Sequence, residues 1–257
     1  MVDSHCHLTD PRLFEQLSAV LERAAAAGVS NIVTIGTHPA DWEAALAVTV
    51  GRPNIRCAVG AHPNHCHEIE FELLERLRQY VDSPAVAALG EMGLDYHHQF
   101  AGRELQAKYF QAQLELARNA NLPVVIHCRE AVDDCLSILA AFSGVRAVFH
   151  CFTGNQQEAR RIWDAGYLTG FTGVLTFRNG QPLREIAAEA PADRILVETD
   201  APYLTPEPMR RQKVNEPALV VYTATVLAAA RKISLEQLDE LTTKNAMRFY
   251  RGLGIDR

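Results

Sequence analysis

The feature that most constrains this chain is the alternation of short apolar runs with stretches of helical periodicity. Val2 to Cys6, Asn31 to Gly36, Ile55 to Gly60, Ala85 to Gly90, Pro123 to Cys128, Arg146 to Cys151, Tyr167 to Thr172 and Arg194 to Glu198 each read as a strand. Helical spacing follows over Arg12 to Ala27, Asp41 to Val50, Ile69 to Val81, Arg103 to Asn119, Ala131 to Phe142, Gln156 to Ala165 and Pro182 to Glu189. In the first of these, Leu13, Leu17, Val20, Leu21 and Ala24 share a face, and Gly28 is placed to end the helix. Two further helical patterns, Pro217 to Arg231 and Leu235 to Phe249, close the chain. Strands apolar on both faces, each followed by an amphipathic helix, imply a parallel sheet covered by helices. The pattern predicts an α/β fold, a (β/α)8 TIM barrel with additional C-terminal helices. An open doubly wound sheet fits less well, because no G-x-G-x-x-G turn follows the first strand.

A chain of 257 residues suits one such barrel, so a single domain over 1–257 is expected. The formal net charge of −6 argues against a broad electrostatic grip on duplex nucleic acid, while leaving room for a small phosphate-binding cleft. Met1-Val2-Asp3 lacks the basic and apolar regions of a signal peptide, and no apolar run approaches the roughly 18–20 residues of a membrane span. A cytoplasmic location without membrane attachment is the expectation. The six cysteines form no C-x-x-C pair, and reduced thiols follow. Cys6, Cys128 and Cys151 each adjoin a histidine on a strand, so they face the opposite side of the pleat, toward covering helices.

In a barrel of this class chemistry belongs at the C-terminal ends of the strands. The first strand delivers His5 and His7 there, two apart and on one face. The third delivers His62, the fourth Glu91, the fifth His127, the sixth His150 and the eighth Asp200. Burying several imidazoles and carboxylates in one place is costly unless they are mutually paired or metal-bound. Four of these histidines with two carboxylates have the content for two divalent metal ions, and that donor chemistry suits zinc or manganese. Four other histidines, His65, His67, His97 and His98, fall in loops and read as solvated, whereas His38 follows the second strand. Asp95 either reaches the site or caps the next helix, and Glu198 shares the inward face of its strand with Asp200.

The segments Asp3-Ser4-His5-Cys6-His7-Leu8, Gly60-Ala61-His62-Pro63, Gly90-Glu91-Met92-Gly93-Leu94-Asp95, His150-Cys151-Phe152-Thr153-Gly154 and Glu198-Thr199-Asp200-Ala201-Pro202-Tyr203-Leu204 resemble those of the TatD family of metal-dependent hydrolases. They occur in family order over nearly the whole chain, and Asn215-Glu216-Pro217 resembles a further family segment. The family belongs to the amidohydrolase-like barrels, and its characterised members include magnesium-dependent DNases that remove nucleotides from 3′ ends. The resemblance implies that His5, His7, Glu91 and Asp200 hold one metal, and that Glu91, His127 and His150 hold a second, with Glu91 bridging. It places His62, Arg129 and Tyr203 near the substrate phosphate. Met92 stands where isoleucine is frequent, and His97-His98 occupies a loop that often carries aromatic and basic residues.

Two divalent ions, magnesium, manganese or zinc, are therefore the expected cofactors, Asp200 is the expected general base, and Glu91 is the second residue expected to be catalytic. A nucleic acid substrate, as DNA ends or single strands, or a small phosphodiester is the expected partner. A second reading keeps the metals and changes the bond, to an ester or amide such as the linkage cleaved by a D-aminoacyl-tRNA deacylase. A third is a metal-binding barrel without catalysis. No repeat, coiled coil or apolar patch points to a protein partner.

Overall fold

The computed structural model describes residues 1–98 and 100–253, so the last four residues of the expected domain lie outside the described ones. In chain order the elements are β1 (Val2–Cys6), α1 (Pro11–Phe14), α2 (Leu17–Ala26), β2 (Asn31–Gly36), α3 (Trp42–Thr49), β3 (Ile55–Val59), β4 (Val86–Asp95), α4 (Arg103–Asn119), β5 (Val124–Arg129), α5 (Val132–Ala140), β6 (Ala147–Phe149), α6 (Gln156–Asp164), β7 (Leu168–Phe171), α7 (Gln181–Glu189), β8 (Ile195–Val197), α8 (Val220–Arg231) and α9 (Leu235–Phe249). Eight parallel strands alternating with helices give the expected (β/α)8 class, with α8 and α9 as the extra C-terminal helices. By contact the chain divides into two compact units, Met1–Thr34 with Cys151–Arg248, and Ile35–His150 with the segment from Phe249 onward.

The first unit holds β7, β8 and β1 with most of β2. Phe171 pairs with Val197 across β7 and β8, and Cys6 pairs with Thr34 across β1 and β2. Between β8 and β1 the ladder is made beyond the strand end: Asp200 N–H donates to the His5 carbonyl at 2.9 Å and His7 N–H to that of Ala201 at 2.7 Å. All five residues of β1 are buried, which accounts for its lack of polar alternation. The helix expected over Arg12 to Ala27 is two helices, because Asp10 caps a short turn at Pro11 and Gln16 leaves helical backbone geometry.

The second unit holds β3, β4, β5 and β6, with α3, α4 and α5. Its centre is β4, ten residues long and buried throughout, with parallel partners in β3 and β5. The sequence pattern ends this strand at Gly90, yet it runs on to Asp95. Gly90 and Gly93 adopt φ of 134° and 137°, which only glycine takes readily, so here they continue the strand instead of ending it. Near the chain end, the Arg251 guanidinium donates to the carbonyls of Val81, Ser83 and Val86 at 2.6–2.8 Å and pins the entry to β4. The helix expected over Ile69 to Val81 is a 3-10 stretch, Phe71–Gln79. Its buried Leu74 and Leu77 lie three apart, a spacing that suits three residues per turn as well as 3.6.

Candidate metal centre

In the first unit the histidine pair meets the acid predicted for it. His5 Nε2 and His7 Nε2 lie 3.3 Å apart, and Asp200 Oδ1 is 3.6 Å from the former and 3.3 Å from the latter. Three donor atoms within 4.8 Å of one another, two imidazole nitrogens and a carboxylate oxygen, fit a divalent cation by chemistry and by spacing.

Asp200 is held by what surrounds it. It sits at φ 56°, a left-handed conformation that aspartate tolerates better than most residues. The Thr199 hydroxyl and N–H both donate to the Asp3 carboxylate, and the Thr199 oxygen accepts from Ala201 N–H at 3.1 Å. Asn215, fully buried, donates to the carbonyls of Thr199 and Tyr203 at 2.9 and 2.6 Å. Burial pushes the Asp3 carboxyl up to about 7, against the opposing hydrogen bonds from Thr199. Glu198 is also buried and accepts from the Cys151 N–H at 2.6 Å and the Ser4 hydroxyl at 3.2 Å, so it braces β1 and the start of the loop after β6.

Tyr203 lies half exposed with its ring edge-on to His7 at 6.0 Å. The Arg12 guanidinium lies 4.7 Å over that ring while bonded through two nitrogens to Asp10. Neither partner was distinguishable from an ordinary surface charge in the sequence.

In the second unit Glu91 is the hub. Its Oε1 lies 2.7 Å from His150 Nε2, 2.8 Å from His127 Nδ1 and 3.3 Å from His62 Nε2. Burial disfavours the Glu91 charge, but His150, His62 and His127 outweigh it and hold the carboxyl well below the usual range. His62, Glu91 and His127 form a second group with donor atoms inside 4.8 Å.

The tautomers sort this group. His62 Nδ1 accepts from Asn64 N–H at 3.1 Å, so in the neutral ring the proton sits on Nε2, which points at Glu91. Burial foremost, with the nearby His127, takes the His62 pKa down to about 4, so the ring is neutral. A ring fixed in this way donates through Nε2 and has no lone pair there for a metal. His127 differs: Nε2 faces Asp95 Oδ2 at 2.9 Å while Nδ1 faces Glu91. Burial opposes its charge, yet hydrogen bonds to Asp95 and Glu91 raise it to about 9. At that pKa the ring carries a proton on each nitrogen; Asp95 accepts the one on Nε2, so Nδ1 is the atom that could ligate a cation by giving up its own proton, in the carboxylate–histidine–metal pattern.

The sequence allows Asp95 two roles, a contact in the site or a cap on the next helix. It caps no helix, since α4 begins at Arg103 after Gly102. Instead it accepts from the N–H groups of His97 and His98 at 3.0 and 2.8 Å and from His98 Nδ1 at 3.0 Å. Two buried glutamines of α4 fix this rim. Gln106 bonds the backbone of Asp95 at 2.7 and 2.9 Å, and Gln113 bonds the backbone of Ala61, next to His62, at 2.7 and 3.1 Å. No sequence motif marked either glutamine; polar residues on the inward face of a helix were the only signal. Arg129 ends β5 and is exposed, while His65 and His67 flank Glu68 on the surface. Cys6 is buried with Sγ 3.8 Å from the Val33 carbonyl, facing away from the histidines as expected.

The family profile described as TatD related DNase matches residues 2–251. The chain belongs to this family. Its fold is that of the crystal structure of YjjV, a TatD homologue from Escherichia coli K12, with a TM-score of 0.92, 29% identity and 97% of each chain covered. The uncharacterized metal-dependent hydrolase YabD of Bacillus subtilis is 35% identical over 98% of this chain and 99% of its own. The protein named 3′-5′ ssDNA/RNA exonuclease TatD from Erwinia tasmaniensis is 37% identical over 97% of this chain and 99% of its own. A metal-dependent hydrolase of the TatD family, built on a (β/α)8 barrel, is thus established. No single helix among the described residues is long and apolar enough to cross a membrane.

Proposed function

We propose that this chain hydrolyses phosphodiester bonds with divalent cations, releasing nucleotides from the 3′ ends of single-stranded nucleic acid. The observation that supports this reading most is the convergence of His5 Nε2, His7 Nε2 and Asp200 Oδ1 at the ends of adjacent strands. The substrate class draws support from the Erwinia relative and its printed activity.

His5, His7 and Asp200 are the proposed ligands of one cation, and Glu91, His127 and His150 those of another. A bound divalent cation lowers the pKa of a coordinated water and polarises a phosphoryl oxygen. Asp200 takes the proton of the attacking water, its carboxylate held in one orientation by the Asp3–Thr199 and Asn215 contacts. Glu91 both ligates and orients the imidazoles around it. Arg129 offsets charge that develops on the phosphate oxygens, and His62 shares its one Nε2–H, 3.3 Å from Glu91, with a phosphate oxygen. Tyr203 offers an exposed ring to the substrate beside His7.

The test is nucleotide release from 5′-labelled single-stranded DNA with magnesium, manganese or zinc, alongside EDTA and Asp200→Asn controls. Stepwise shortening from the 3′ end, dependent on metal and lost in the variant, is expected. Deacylation of aminoacyl-tRNA with no nucleotide release under any of these ions would replace this reading with the ester hydrolase.

A further inference from the structure

We propose that His67, Phe100 and His98 form a stacking face for the bases of single-stranded nucleic acid at the edge of the Glu91 cluster. This rests on the nucleic-acid reading above and names the residues that would grip the bases.

The three rings are arranged unlike their neighbours. His67 and Phe100 have ring planes 10° apart with centroids at 6.5 Å, and Phe100 and His98 have planes 15° apart at 5.9 Å. By contrast Trp42–Tyr80, Phe71–Tyr109 and His97–His98 meet edge-on at 77°, 76° and 82°. Phe100 is 59% exposed, and the side chains of His67 and His98 are 40% and 51% exposed. A lone exposed phenylalanine needs no explanation, but this one is stacked between two part-exposed imidazoles, and the three near-parallel planes share an orientation that a base can extend.

His98 is fixed from behind. His98 Nδ1 lies 3.0 Å from Asp95 Oδ2, and the same oxygen lies 2.9 Å from His127 Nε2. One carboxylate therefore separates a stacking ring from a proposed metal ligand. His67 Nε2 lies 3.5 Å from Glu68. A chain of net charge −6 offers no broad electrostatic grip on the phosphate backbone, so stacking on the bases adds affinity for a single strand beyond the local phosphate contacts. Every base has a π-face, and such a surface accepts any sequence.

The experiment is equilibrium binding, read by fluorescence anisotropy, with the Asp200→Asn protein and magnesium so that turnover does not interfere. The probes are a thymidine oligonucleotide and an abasic oligonucleotide of the same length and charge. The thymidine strand is expected to bind about tenfold more tightly, the order that one stacked base supplies. Adding Phe100→Ala removes this preference and leaves abasic binding unchanged, whereas Phe100→Trp retains it. Equal binding of both probes by the parent, or a loss from Phe100→Ala that falls on both alike, overturns the proposal. A base preference in a wild-type protein that releases no nucleotide defeats the nuclease reading and leaves the stacking face standing. Nucleotide release without that preference does the reverse.

Discussion

The Asp3 carboxylate accepts the Thr199 hydroxyl at 2.6 Å and the Thr199 N–H at 2.9 Å, so a residue of the first strand fixes the residue before Asp200. Both groups are buried, and removing the acceptor strands two donors away from water. Asp3→Ala is expected to cost about 1–3 kcal/mol of stability and to weaken metal binding by about 10–100-fold. Urea unfolding and calorimetric metal titration check the two effects. Asp3→Asn keeps an oxygen for the Thr199 N–H and should lie between this variant and wild type.

Asp200→Asn tests the base directly. The amide keeps the shape of the side chain, and the backbone N–H that bonds the His5 carbonyl is untouched. Turnover is expected to fall by at least about 10²-fold, the contribution of a positioned proton acceptor. Thermal unfolding should shift by less than about 4 °C, as for a substitution worth under 1 kcal/mol in a chain of this size. Unchanged turnover would remove Asp200 from the mechanism.

The order of strands and helices was legible because burial on both faces writes apolar runs, and helix amphipathicity writes a 3.6-residue period. His5, His7 and Asp200 were legible as a group for the same reason, since each follows such a run. The tail of β4 was not, because Gly90 and Gly93 look like a strand end until their φ is known. Nor were Gln106 and Gln113, whose partners are backbone groups that no side-chain pattern records. The tautomer of His62 depends on the Asn64 amide two residues on, and only the loop geometry reveals it.

Gly93 offers a test of that β4 tail. It adopts φ 137°, and a side-chain carbon there would collide with the His127 carbonyl oxygen. Backbone strain and overpacking each cost about 1–3 kcal/mol, so Gly93→Ala is expected to destabilise by about 2–6 kcal/mol. Urea unfolding measures this. A loss below about 1 kcal/mol would show that the strand yields at this point.

Metal removal separates the two ligand groups. A cation that binds only the folded chain stabilises it by about 2.7 kcal/mol at a hundredfold excess over its Kd. For a chain of this size that raises Tm by roughly 5–10 °C, and EDTA should reverse the rise. His5, His7 and Asp200 bring their donor atoms together in one group and Glu91, His127 and His150 in another, so one variant is aimed at each. His7→Ala and His150→Ala are each expected to lower the bound metal, measured by atomic absorption after dialysis, from two equivalents to one. His62→Ala is expected to leave it at two, because the Asn64 N–H holds the His62 proton on Nε2 and bars that atom from ligation. Loss of an equivalent in His62→Ala would place His62 among the ligands and displace it from phosphate contact.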